Sequence, residues 1–167
     1  MPRTPRPVSL STLRPSYPHA FKSKLYVEHE LADATLKVDY DTNRNPFSVR
    51  RVLRALDSPA VKRDLARNGA TIRYVMVFTT GRGHHLRIWL AVPTRRPFPA
   101  RVTLRIQATL GDDPMRQKFN AARVRRGEGG WNCLWRLKYR NGKILSQEVF
   151  DETATESIRF ALSQASR

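Results

Sequence analysis

The chain has 167 residues, and a domain takes roughly 100–200, so a single domain is expected. Hydrophobic residues make up 40% of it, enough for a core, while 31 Lys and Arg against 14 Asp and Glu leave a net charge of +17. No apolar stretch reaches the ~18 residues of a membrane span, no signal peptide is visible, and one cysteine, Cys133, excludes a disulfide framework and a cysteine metal site.

In chain order, residues 1–20 hold five prolines and three arginines and read as an extended basic arm ahead of a single domain at 21–167. "KLYVEHEL" (24–31) and "ATLKVDYD" (34–41) read as strands with an Ala-Asp turn region between them. In the second, Leu36, Val38 and Tyr40 alternate with Lys37, Asp39 and Asp41, which puts both aspartates on one sheet face. After "TNRNP" a helix is expected, with Phe47, Val52, Leu53 and Leu56 as its apolar stripe and Arg50, Arg51 and Arg54 facing elsewhere. Ser58-Pro59 starts another helical segment, closed by Asn68-Gly69.

"TIRYVMVFT" (71–79) and "HLRIWLAV" (85–92) are two more strands, joined by a short glycine-rich loop. Pro99 opens a helix to Leu110, ended by Gly111, and "DDPMRQKFNAARVRRG" (112–127) is a helix with acid at its start and arginine at its end. "NCLWRLKYRNGKILSQEVF" (132–150) is a hairpin around Asn141-Gly142, and 151–166 is a terminal helix. Six strands with helices between them predict an α+β domain, its sheet mostly antiparallel and covered on one face.

Two features carry chemistry. Like charges at Asp39 and Asp41 are costly side by side without a cation, and hard oxygen ligands of this kind suit Mg²⁺ or Mn²⁺. The alternative is a half-exposed strand whose outer face carries these acids. In "TTGRGHHLRIWL", Gly81 and Gly83 allow close backbone approach, Arg82 adds a charged fork, and His85 offers a donor to phosphate. An ordinary turn with a structural histidine is the plainer reading. The net charge favours a polyanion, and nucleic acid above all, because Lys and Arg release counterions from phosphates. A basic ribosomal-type or membrane-surface protein is the bland alternative to that partner, while the single cysteine fits a reducing, intracellular setting.

"LKVDYD" followed by "FTTGRGHHLRIWL" resembles the first two motifs of archaeo-eukaryotic primases. Those are an apolar strand ending Asp-x-Asp or Asp-x-Glu, then strand, Ser-Gly-x-Gly-x-His, strand. Asp39 and Asp41 fall on the metal-binding acids, Thr80, Gly81 and Gly83 on the Ser-Gly-x-Gly loop, and His85 on the motif histidine, with His84 at the variable position. The third acid falls on Asp113, with Asp112 in reserve, and Asn120 stands where some relatives carry an acid. The resemblance spans residues 34–140 and is to phage- or plasmid-type minimal catalytic domains.

It implies an RRM-like antiparallel sheet with additional α/β elements. It also implies template-dependent joining of nucleotides on single-stranded DNA, with Mg²⁺ or Mn²⁺ as cofactor and nucleoside triphosphates as substrates. In that setting Asp39, Asp41 and Asp113 clamp metal, and Thr80, Gly81, Arg82, Gly83 and His85 hold the triphosphate. Arg123 and Lys138 hold nucleotide phosphates, while Arg50, Arg54, Arg126, Trp131 and Trp135 contact nucleic acid, the tryptophans by stacking. No Gly-x-x-x-x-Gly-Lys-Ser/Thr is present, so a separate replicative helicase would unwind the duplex. No membrane partner is expected, and the setting would be the nucleoid, or the host cytoplasm if the protein is viral.

Four other readings compete, one of them a degenerate primase-like protein with binding activity alone. A non-catalytic RRM-like single-stranded nucleic-acid-binding module accounts for charge and fold, but not for two acids on one face. A rolling-circle or relaxase nuclease needs His-hydrophobic-His and a helical tyrosine, whereas His84 and His85 are adjacent and point to opposite faces. A two-histidine phosphoesterase needs two His-x-Thr/Ser motifs, and neither is present.

Overall fold

The computed structural model describes residues 34–93 and 98–165, together with the backbone of 24–27. The basic arm at 1–20 lies outside the described residues. The elements in order are β1 (Lys24–Val27), β2 (Thr35–Asp41), α1 (Val49–Asp57), α2 (Pro59–Arg67), β3 (Thr71–Thr79), β4 (Gly83–Ala91), α3 (Ala100–Leu110), α4 (Pro114–Arg125), β5 (Leu137–Arg140), β6 (Lys143–Gln147), β7 (Val149–Phe150) and α5 (Glu152–Ala165). The result is α+β, with a four-stranded sheet β2-β4-β3-β7 and a three-stranded sheet β1-β5-β6, every pairing antiparallel. Among the described residues, no helix is long and apolar enough to cross a membrane.

Local chemistry sets most boundaries. Ser48 caps α1 by accepting the Arg51 amide, and Phe47 therefore stands before the helix rather than in its stripe. Ser58 ends α1 and caps α2 ahead of Pro59. Gly111 stops α3 at φ 91°, a conformation open to glycine at little cost. Asn141 and Gly142, at φ 48° and 79°, form the turn between β5 and β6.

The predicted hairpin over 132–150 needs correction at both ends. Residues 132–136 are not strand, and Val149–Phe150 leave the hairpin to pair with Thr79 and Phe78 in the other sheet. The switch occurs at Glu148, whose side chain turns inward among buried cations. Of the predicted strand at 24–31, residues 24–27 form β1 and the rest lies outside the described residues; β1 pairs with β5, and β2 pairs with β4.

The core lies on one face of the four-stranded sheet. Leu36, Val38, Tyr40, Val75, Val77, Leu86 and Ile88 pack there against Val52, Leu56, Ile106, Leu110 and Ile158 from α1, α3 and α5. The opposite face carries Lys37, Asp39, Asp41, His85 and Arg87.

β2 is an edge strand, and its outer backbone groups are taken up by side chains. Gln107 accepts the Lys37 amide, and Asp112 accepts the Asp39 amide. Asn45 accepts the Asp41 amide and donates to the Asp39 carbonyl, while Arg116 and Asn132 donate to the carbonyls of Lys37 and Thr35. An edge satisfied in this way does not recruit another strand, and it holds the two acids rigidly.

Candidate functional site on the polar sheet face

Because Asp39 sends its amide and carbonyl outward, it stands opposite His85 as a non-hydrogen-bonded pair of the β2–β4 ladder. Such pairs bring side chains closest together. His85 Nε2 lies 3.5 Å from Asp39 Oδ1, and His85 Nδ1 donates to Glu148 Oε1 at 2.8 Å. Glu148 also accepts from Arg87 Nε at 3.2 Å and Nη2 at 2.6 Å, and the same Nη2 donates to the Leu134 carbonyl at 2.7 Å. Arg87 is fully buried and the Glu148 side chain nearly so, while a third of the Asp39 side chain is exposed.

Charge placement explains the titration of these groups. Burial opposes the charged form of His85, but the hydrogen bonds it donates to Asp39 and Glu148, and their negative charge, outweigh it and raise the imidazole above 6.5. Burial pushes the Asp39 carboxyl up, and His85, with Arg116 and Lys138 nearby, brings it below 3.8. Glu148 follows the same pattern, with His85 and Arg87 overcoming burial to bring it below 4.5.

The two neighbouring acids at the start of α4 have separate tasks. Asp112 is buried and saturated: it accepts the Asp39 amide at 2.8 Å, Arg116 at 2.6 Å and Gln117 at 2.7 Å. It builds the site without facing it. Asp113 caps α4 through Oδ1, and its Oδ2 lies 3.8 Å from Arg44, which reaches Asp41 Oδ2 at 3.5 Å. Asp39, His85 and Asp113 line a cavity of about 260 Å³ with Phe119, Arg123, Trp135 and Lys138. Met115, Phe119 and Arg123 follow one another at four-residue spacing on α4, so one helix face supplies that wall. Phe119 is 55% exposed there.

Asp41 lines the adjoining hollow with Thr80, Gly81, Arg82 and Gly83. The Asn43 amide holds its carboxyl below the usual range. The expected anion cradle is partly turned on itself, since Thr80 Oγ1 accepts the amides of Arg82 at 3.4 Å and Gly83 at 3.1 Å. Gly83 is required by close approach: a Cβ there would sit 1.9 Å from the Tyr40 carbonyl oxygen. His84 faces the core side, stacked on Phe47 at 4.7 Å.

Four predicted contacts lie elsewhere. Arg50 and Arg54 line a groove formed by α1, α2, β3 and α5. Arg126 pairs with Glu128 at 2.6 Å, and half-buried Trp131 does not line the cavity. Glu148, Arg87, Arg116, Arg44 and Phe119 were not foreseen. Arg87 alone left a signal, an arginine two residues after His85 in an apolar strand, which demands a buried acid. Among the described residues, no group of three or more His, Cys, Asp or Glu is gathered closely enough to hold a metal ion. No family model matches the chain, and no curated protein or solved structure does so either.

Proposed function

We propose that the chain is a template-dependent nucleotidyltransferase of the archaeo-eukaryotic primase type, joining nucleotides on single-stranded DNA. One observation carries this reading: Asp39 and His85 meet across β2 and β4 at a cavity that also takes Asp113, Arg123 and Lys138. Acids beside phosphate-binding cations repel the ligand unless a further cation sits with them. The carboxylate oxygens of Asp39, Asp41 and Asp113 are the donor type that Mg²⁺ or Mn²⁺ takes, but the three are not gathered closely enough in this structure and would hold such an ion only once drawn together. Such an ion supplies charge neutralisation at the phosphoryl oxygens.

The chain's own residues do the rest. Glu148 fixes the His85 ring from behind with Nε2 toward the cavity, where it would exchange its Asp39 contact for a phosphate oxygen. Arg123 and Lys138 receive further phosphate charge, and Phe119 and Trp135 offer ring faces to bases. A second reading, a non-catalytic single-stranded nucleic-acid-binding module, is favoured by the Asp39–His85 contact, which satisfies both groups within the protein.

The test is synthesis itself. Asp39→Ala with Asp41→Ala is expected to abolish metal-dependent nucleotide joining on a single-stranded template, with template binding kept or strengthened. His85→Ala is expected to raise the nucleotide concentration required. Primer formation and extension are assayed with Mg²⁺ and Mn²⁺ beside template affinity. Should wild type make no product with either ion while the double variant binds template unchanged, the binding-module reading replaces the enzyme.

A further inference from the structure

We infer that the groove between α1, α2, β3 and α5 is a docking site for an acidic amphipathic helix of a partner protein. The groove measures about 1290 Å³ and lies apart from the Asp39–His85 cavity, sharing no residue with it. Its floor is aliphatic, formed by half-buried Val49, Leu53, Leu65, Ile72 and Leu162. Five cations stand along it, Arg50, Arg54, Lys62, Arg73 and Arg159, against one acid, Asp57. Lys62 pairs with Asp57 and Arg159 with Glu156, whereas Arg50, Arg54 and Arg73 have no acidic partner among the described residues.

Charge and surface chemistry select the occupant. A second copy of this chain brings a net +17, and residues 1–20 carry three arginines and no acid, so both are repelled. Single-stranded nucleic acid has the right charge, but it binds by stacking on aromatic faces. The one aromatic ring lining the groove, Tyr74, already carries the Arg159 guanidinium 4.6 Å from its centre, and a single ring gives successive bases no platform to stack on. Aliphatic floor with cationic rim matches a helix that presents leucines inward and carboxylates at its flanks. This inference does not depend on nucleotide chemistry at the other face.

The experiment titrates the full chain with a fluorescein-labelled helical peptide carrying leucines at i, i+3, i+4 and i+7 and glutamates on the flanks. Saturable binding is expected, weakened at least about tenfold by scrambling the peptide at constant composition, which is near 1.4 kcal/mol. Arg54→Glu with Arg73→Glu, both exposed, is expected to weaken it by a similar factor without lowering the melting temperature. Leu53→Gln tests the floor. Equal affinity for the scrambled peptide, absence of binding, or displacement of the peptide by an oligothymidylate would each overturn the inference, the last reassigning the groove to nucleic acid.

Discussion

Glu148 shows what one buried acid does for this site. It neutralises Arg87, orients His85 and leaves the imidazole between two carboxylates. The pH dependence follows from the direction of each shift. The raised His85 contributes stability that is complete below 6.5 and is lost as pH rises through its folded value. The lowered Asp39 and Glu148 contribute stability complete above 3.8 and 4.5 and lost as pH falls through their folded values. Unfolding free energy from urea titrations is therefore expected to be highest between 4.5 and 6.5 as far as these groups are concerned. Glu148→Gln strands Arg87 in the interior and is expected to cost about 3–5 kcal/mol. It should also lower the His85 pKa in an NMR titration. An unchanged imidazole titration in that variant would show that Glu148 does not control His85.

At the scale of elements, β2 is held by its edge as much as by its ladder. Asn45 alone accepts the Asp41 amide and donates to the carbonyls of Asp39 and Gly111, each at 2.9 Å. It is buried, so Asn45→Ala leaves backbone groups without partners and without water. The expected loss is about 2–3 kcal/mol in chemical unfolding and, under the proposed function, weaker nucleotide joining because Asp39 and Asp41 lose their fixed spacing. A variant as stable as wild type would mean that the strand edge rehydrates freely. α4 differs from the other helices in that Asn120 is its only buried residue. Its Met115-Phe119-Arg123 face serves the cavity instead of the core.

For the whole molecule, charge is the dominant property. A net +17 predicts several phosphate contacts with single-stranded DNA, and the log–log salt slope is about −0.7 for each. Anisotropy titrations from low to physiological salt are expected to show this steep loss, and Arg123→Ala to reduce the slope by about 0.7. A flat response would remove the electrostatic basis of the proposed function. The two faces of the four-stranded sheet divide the work: helices and apolar core on one, acids, His85 and buried arginine on the other.

Much of this was legible locally. The alternation in "LKVDYD" assigned Asp39 and Asp41 to one face, Gly111 and Asn141-Gly142 marked a helix end and a turn, and Ser58-Pro59 marked a helix start. These signals depend on backbone conformation and period, which neighbouring residues set by themselves. The pairing partners were not legible: that β1 joins β5, that β7 crosses to β3, and that Glu148 reaches His85 from 63 positions away. Nor could spacing separate Asp112 from Asp113, since adjacent acids differ only in whether the fold turns them toward a strand edge or a cavity. A strand's period states which face a side chain takes, and only packing decides what stands opposite, because burial of each polar group depends on partners that distant segments bring.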